Sequence, residues 1–220
     1  MGPSNDQTWV RPRLLENSEI ATTVRLVPLT TAHAPDLYAI ADPKLFTHTM
    51  QAPSEWSVRG FGAEIEKVLA IPMSVAFAIE LTRDDRGFAA GRVIGRTTYM
   101  DIKAEYRGLE IGRTWIGRPF HGTRVNPEIK YLMLRHAFEG LTPTAIRVQL
   151  TTNGTNLHSQ AAITKLGAVR EGTLRKARIM PATAERPEPA VRDWVHFSIV
   201  DDEWPGVRST LEQRLQSIPR

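Results

Sequence analysis

The apolar positions of this chain change several times from a spacing of two to a spacing of three or four, which predicts strands alternating with helices. Residues 75–81, VAFAIEL, are apolar almost throughout, as in a strand buried on both faces. In residues 57–70 the side chains of Ile65, Val68 and Leu69 recur at helical spacing. Further strands are predicted at residues 24–29, 93–100, 109–116, 145–150, 167–180 and 191–200, and further helices at 30–41, 127–138, 157–166 and 204–215.

The order of these elements predicts the fold class. A strand at 109–116, a helix and a strand at 145–150 imply a parallel pair joined by a crossover helix. The other strands follow one another as antiparallel neighbours. We therefore predict an α/β (α+β) fold with a single mixed, mostly antiparallel sheet, a central parallel pair and flanking helices. Residues 22–215 form one domain, and residues 1–21 form an N-terminal arm that is either mobile or laid across it.

Composition excludes several classes of protein. The 220 residues are 41% hydrophobic and 24% charged, as in an ordinary soluble domain. No apolar run approaches the ~20 residues of a membrane helix, and residues 1–13 lack the apolar core of a signal peptide. The chain has no cysteine, and its histidines lack metal-ligand spacing, so we expect no disulfide, cysteine nucleophile or metal. We expect a cytoplasmic protein without membrane association.

The net charge of +4 invites a nucleic-acid interpretation. The basic residues are scattered, however, and no helix-turn-helix, zinc or RNP-like motif accompanies them. A modest positive balance also suits an anionic small ligand. A nucleic-acid partner is therefore not expected.

The loop before the helix at 127–138 is a candidate anion site. Asn126 can cap that helix, Pro127 suits its first position, and Glu128 complements its dipole. The unpaired N–H groups of a helix start point outward and attract anions. Residues 121–126 therefore predict a phosphate site, although a purely structural loop has the same pattern.

The motifs of the second half resemble those of the GCN5-related N-acetyltransferases (GNAT). Residues 110–116, EIGRTWI, and 121–126, HGTRVN, resemble the core motif of that family. Residues 156–175 resemble its second half. The segment 193–199, DWVHFSI, resembles a strand of the RimJ/RimL-like branch. The resemblance covers roughly residues 22–215.

The resemblance implies a central parallel pair splayed around acetyl-CoA, the cosubstrate. It places the pyrophosphate on the loop from Pro119 to Val125, with Gly122 as the first glycine of the motif and Arg124 in place of the second. Arg124 either adds a charged contact to a phosphate or alters the loop. The residues implied to bind the cofactor are Trp115, Ile116, His121, Gly122, Thr123, Arg124, Val125, Asn126 and Asn156.

An amine must lose a proton before it attacks a thioester, so a general base is expected. The resemblance points to Glu110 as that base and to Ser159 as the group that protonates the leaving thiolate. The alternatives are structural: Glu110 as a surface carboxylate paired with Arg113 or with a neighbouring strand, Asn156 as a helix cap only, and Ser159 as a polar residue of the first turn. Asp193 and Glu171 are weaker candidates for the base.

We therefore predict an N-acetyltransferase that transfers the acetyl group of acetyl-CoA directly to a primary amine, at a protein N-terminus or on a small molecule. The alternative is a catalytically weak GNAT-fold module that binds CoA or regulates, with Arg124 as the cause of the lost activity. Homodimers are common in the family, so a homodimer is also expected.

Overall fold

The computed structural model describes residues 9–11, 13–17, 19–48, 52–182 and 187–218. Its eight strands form one sheet in the order β1-β2-β3-β4-β5-β6-β8-β7. The strands are β1 Leu15–Asn17, β2 Ala21–Pro28, β3 Val75–Leu81, β4 Val93–Lys103, β5 Gly108–Ile116, β6 Arg147–Asn153, β7 Val169–Met180 and β8 Ala190–Val200.

Five α-helices in the described residues accompany the sheet, and each lies where the sequence predicted one. They are α1 Ala34–Ile40, α2 Val58–Leu69, α3 Val125–Arg135, α4 Leu157–Thr164 and α5 Trp204–Ser217. In the described residues no helix is long and apolar enough to span a bilayer.

Only β5 and β6 run parallel; every other neighbouring pair in the described sheet is antiparallel. Helix α3 makes the crossover between these two strands, as a parallel connection requires. The predicted fold class, a mostly antiparallel mixed sheet with one central parallel pair, is thus confirmed.

The two faces of the sheet meet different helices. Tyr99 of β4 donates its hydroxyl hydrogen to the Met133 carbonyl of α3, so its side chain lies on what we call the α3 face. Arg96 pairs with Glu64 of α2, which defines the α2 face. Because side chains alternate along a strand, Thr98 and Met100 share the α2 face with Arg96.

The described part of the predicted N-terminal arm packs on the domain. Val10 and Leu15 are buried in the core, and the Trp9 indole donates to the Pro143 carbonyl oxygen at 2.8 Å. Strand β1 forms the edge of the sheet beside β2. Three residues are too short to display an alternating pattern, so this strand is not predictable from apolar spacing.

Candidate active site

Strands β5 and β6 lie side by side over three residue pairs and then part. The last pair is Glu110 with Gln149, yet β5 continues to Ile116 and β6 to Asn153. The edge of β5 beyond Glu110 therefore pairs with β4 on one side and with no described strand on the other. This opening between two parallel strands can receive an extended ligand.

A β-bulge in β5 lies next to the opening. Trp115 faces Arg96 and Gly112 faces Thr98, so one residue of β4 lies opposite two of β5. Arg113, inside the bulge, has a φ of 53°. A bulge of this kind bends the strand and redirects its side chains.

Glu110 lies at the start of the opening and is only 8% exposed. Its Oε2 accepts from Gln149 Nε2 at 3.0 Å, and its Oε1 accepts from the Thr151 hydroxyl at 2.8 Å. The Thr151 oxygen in turn accepts from the Trp194 indole at 2.8 Å. Glu110 is thus a buried carboxylate held by neutral donors of β6. The alternative of a pairing with a neighbouring strand agrees with these contacts, whereas the described residues show neither surface exposure of Glu110 nor an ion pair with Arg113.

The loop before α3 leaves backbone donors available. Gly122 has a φ of 73°, a conformation that favours glycine. Within the described part of the chain, the N–H groups of Gly122, Thr123 and Arg124 have no hydrogen-bond acceptor. The Val125 N–H differs, because it donates to Thr123 Oγ1 at 3.2 Å. Three free donors at a helix start are a fitting site for a phosphate.

The predicted start of α3 is wrong by two residues. The helix begins at Val125 with Arg124 at its N-cap, so Asn126 lies in the first turn rather than before it. The Thr123 hydroxyl accepts the Val125 N–H and so takes the part expected of the Asn126 side chain. The sequence signal at Pro127 was misleading because proline is tolerated throughout the first helical turn.

Arg124 directs its guanidinium into the protein. Its Nε donates to Glu128 Oε1 at 2.5 Å, and Arg124 is only 6% exposed. Glu128 is fully buried and also accepts the backbone N–H groups of three consecutive β2 residues, Thr22, Thr23 and Val24. The Arg124 guanidinium therefore lies inside the protein, and not at the loop where a contact with a phosphate was expected.

The remaining loop residues have mixed environments. His121 is exposed, and its Nε2 lies 2.9 Å from the Ile116 carbonyl oxygen, which makes Nε2 the protonated nitrogen. Asn126 is half-buried in the first turn of α3. Val125 is fully buried, so only its backbone faces the loop.

Trp115 and Ile116 end β5 at the opening, and both side chains are buried. The Trp115 ring packs edge-on against Phe46 and Phe61, at centroid distances of 5.4 Å and 6.4 Å. The Trp115 side chain therefore belongs to the core on the α2 face. Along the free edge of β5 these two residues offer a ligand their backbone groups, while the Trp115 indole lies on the α2 face.

Asn156 caps α4, as its sequence position predicts. Its Oδ1 accepts the Ser159 N–H at 3.1 Å. Ser159 is partly exposed in the first turn, and the helix follows β6 after a short turn. Both residues therefore lie at the end of β6 that opens away from β5.

Two other acidic residues were weaker candidates for a base. Glu171 makes a two-pronged ion pair with Arg147, and this hydrogen bonding lowers its pKa to about 2. Such a carboxylate holds a proton poorly. Asp193 accepts the backbone N–H of Lys176 at 2.8 Å. Among the described residues no group of three His, Asp or Glu side chains could hold a metal ion.

Lys130 is a buried amine at the bulge that was not among the predicted site residues. Lys130 is 7% exposed, and its Nζ donates to the Thr114 hydroxyl oxygen at 2.8 Å. Burial lowers its pKa to about 7. The sequence contains one indication that Lys130 is buried. Met133 and Leu134, three and four residues later, are apolar and lie on the same side of the helix.

Comparison with known proteins agrees with this geometry. The family model of the acetyltransferase (GNAT) domain matches residues 23–169. A structure described as an acetyltransferase from T. thermophilus is 38% identical, with a TM-score of 0.78 over 94% of this chain and 99% of that one. The chain belongs to the GNAT acetyltransferase family, whose enzymes depend on acetyl-CoA.

More distant structures share the fold. RimJ of Mycobacterium smegmatis, solved with CoA-disulfide, is 20% identical with a TM-score of 0.67, and 92% of each chain is covered. The Microcin C7 self-immunity acetyltransferase MccE, solved with acetyl-CoA and AMP, is 16% identical with a TM-score of 0.64 over 84% of this chain and 98% of that one. A comparison with curated proteins found no match.

Proposed function

We propose that this GNAT acetyltransferase transfers the acetyl group of acetyl-CoA to a primary amine, with Glu110 as general base. The observation that carries the proposal is the position of Glu110. Its carboxylate is buried at the last β5–β6 pair, beside an opening that fits an extended thioester arm. A base placed there can take the proton of an amine that approaches the opening.

The pyrophosphate of the cofactor is assigned to the loop before α3. The backbone N–H groups of Gly122, Thr123 and Arg124 would donate to it, helped by the partial positive charge of the helix start. His121 and Asn126 border these donors on either side. The Val125 N–H is already bound to Thr123, so Val125 contributes chiefly by closing the first turn.

The pantetheine arm is assigned to the opening between the strands. The free edge of β5 at Trp115 and Ile116 supplies backbone groups, and an N–H there would polarise the thioester carbonyl. Asn156 lies at the start of α4, across the opening. Its Oδ1 is used by the helix, so its amide NH₂ is the group left to meet the arm.

In the transfer, the amine nitrogen forms a bond to the acetyl carbon and the carbon–sulfur bond breaks. Glu110 accepts the first proton that the ammonium gives up and releases it to solvent. Ser159 protonates the departing thiolate and takes up the second proton, which the nitrogen loses as the amide forms. Because the chain has no cysteine, direct attack without an acyl-cysteine step is the simplest route.

The alternative of an inactive module depended on damage to the loop by Arg124. The Arg124 guanidinium pairs with Glu128 inside the protein, and its backbone N–H stays available to the loop. This arrangement favours an enzyme. The RimJ/RimL-like branch, the cytoplasmic location and a homodimer stay predictions of the sequence.

The proposal is tested by thiol release from acetyl-CoA with a panel of peptides, amino acids, alkylamines and polyamines. Amine-dependent release with a matching acetylated product is the expected result. Tight CoA binding without release on any acceptor would instead favour the binding module. Calorimetric titration with CoA separates that outcome from a failure to bind the cofactor.

A further inference from the structure

Three polar side-chain atoms around the bulge are buried without a partner in the described part of the chain. They are Arg113 Nη1, Trp115 Nε1 and Thr98 Oγ1. Thr98 is completely buried and Trp115 is 9% exposed. Proteins rarely leave buried donors unpaired, because each costs free energy that a hydrogen bond would recover. Three such atoms at one bulge point to a missing acceptor.

Arg113 also carries a charge that is not balanced locally. Burial is the largest cause that lowers the pKa of Arg113, and the charges of Arg96 and Arg178 lower it further. The carboxylates of Glu64 and Glu110 raise it. These five groups comprise three cations and two carboxylates, which leaves an excess of one positive charge. Arg96 and Glu64 pair directly, whereas Arg113 forms no ion pair among the described residues.

The Arg113 cation lies within electrostatic reach of Glu64 and of the proposed base Glu110, which are on the α2 face. A side chain on Gly112 would lie 3.2 Å from Glu110 Oε1, so Gly112 and Glu110 share the α2 face. Thr98 lies opposite Gly112, and Gly112 is the residue that precedes Arg113 in the sequence. An acceptor whose amine meets Glu110 would therefore carry its neighbouring groups past Arg113.

We infer that Arg113, together with Thr98 and Trp115, forms a subsite for a carboxylate carried by the amine acceptor. The inference rests on the proposed transfer to an amine and narrows it to amino carboxylates. A guanidinium forms paired hydrogen bonds with a carboxylate, and the indole and hydroxyl add two donors. A carboxylate would also neutralise the excess charge. Polyamines and simple alkylamines offer neither an anion nor an acceptor oxygen.

The test compares amines that differ only in the carboxylate: phenylalanine with phenethylamine, and β-alanine with ethylamine. Spermidine and a peptide with a neutral N-terminal residue complete the panel. We expect the carboxylate-bearing member of each pair to have a kcat/KM at least about tenfold higher. Equal values within the pairs, or a preference for spermidine or the peptide, would overturn the inference while leaving amine acetylation in place.

Variants of Arg113 test whether this residue causes the preference for carboxylate-bearing amines. Arg113→Met should reduce it to less than about threefold, mainly through a higher KM for the carboxylate, and Arg113→Lys should restore part of it. Arg135→Met, which removes an arginine at the far end of α3, should retain the preference. CoA affinity of Arg113→Met should stay within about threefold of wild type.

Each remaining outcome is decisive. An unchanged preference in Arg113→Met would remove Arg113 from acceptor recognition, and a large loss of CoA affinity would show that the unpaired donors serve the cofactor. If no amine is acetylated although CoA binds, the proposed function itself fails and the inference falls with it.

Discussion

Gln149 donates a hydrogen bond to Glu110 at the last point where β5 and β6 run side by side, with 3.0 Å between Nε2 and Oε2. The contact joins the two strands just before they part. It also fixes one carboxylate oxygen, while Thr151 fixes the other. A base at this junction is positioned by neutral groups that do not compete for its charge.

Glu110→Gln should lower kcat by roughly 10²- to 10⁴-fold, because an amide cannot take the proton of the attacking ammonium. CoA affinity should change little, since Glu110 lies away from the phosphate loop. Steady-state kinetics and calorimetric titration with CoA separate the two effects. A kcat within a few-fold of wild type, with an unchanged pH–rate profile, would remove Glu110 as the base.

Glu171→Gln is the matched control for that experiment. It removes one carboxylate from the same sheet, but Glu171 is engaged by Arg147 and its pKa is lowered to about 2. We expect kcat to stay within about threefold of wild type. A loss as large as that of Glu110→Gln would move the base to Glu171 or to the network of Arg147.

Gly122→Pro should weaken CoA binding by at least about tenfold, because it deletes one N–H donor and forbids the φ of 73°. Gly87→Pro is the control, since Gly87 also has a positive φ and open space at its Cβ position. That variant changes the turn between β3 and β4 and deletes no N–H donor of the loop, so it should keep normal CoA affinity. Equal affinity of the Gly122 variant and wild type would place the phosphates elsewhere.

Arg124→Met should lower the free energy of unfolding and leave the CoA affinity within about threefold of wild type. The guanidinium pairs with buried Glu128 rather than facing the loop, and breaking a buried pair costs about 3–5 kcal/mol. Urea unfolding and CoA titration measure the two quantities. A selective loss of CoA affinity at normal stability would mean that the guanidinium contacts a phosphate.

Lys130→Met should stabilise the protein more at neutral than at alkaline pH. The pKa of Lys130 falls from 10.5 to about 7 on folding, because burial disfavours the ammonium. Between pH 10.5 and pH 7 the unfolded chain binds a proton at Lys130, whereas the folded chain does not. The free energy of unfolding therefore decreases as the pH falls through this window, and below about pH 7 Lys130 causes no further change.

The advantage of Lys130→Met in unfolding free energy should therefore shrink by roughly 3 kcal/mol between about pH 7 and pH 10. Urea unfolding of both proteins at the two pH values measures this difference. Effects of other titrating groups cancel in the comparison. An advantage independent of pH would show that Lys130 keeps its charge in the folded protein.

The strands and helices of this fold are largely predictable from sequence because their apolar spacing is regular. Residues 75–81 coincide with β3, and the central parallel pair followed from the crossover helix alone. Asn156 was identified as a cap because its side chain bonds within four residues. Features of this kind are predictable because they depend on residues that are close together in the sequence.

Apart from the start of α3, the features that the sequence did not predict depend on contacts between distant segments. Glu128 suggested only a dipole effect, yet its carboxylate binds the backbone of Thr23 and Val24 in β2, at the other end of the domain sequence. The same carboxylate accepts a hydrogen bond from Arg124, whose guanidinium therefore lies inside the protein. The bulge at Arg113 and the burial of Lys130 arise likewise from the pairing of β5 with β4 and α3, which no local pattern reveals.

The measurement that tests the central claim most directly is a crystal structure of the protein with acetyl-CoA. We predict the pyrophosphate on the N–H groups of Gly122, Thr123 and Arg124, and the acetyl group between β5 and β6 within reach of Glu110. A pyrophosphate bound outside this loop, or an acetyl group directed away from the Glu110 carboxylate, would contradict this prediction.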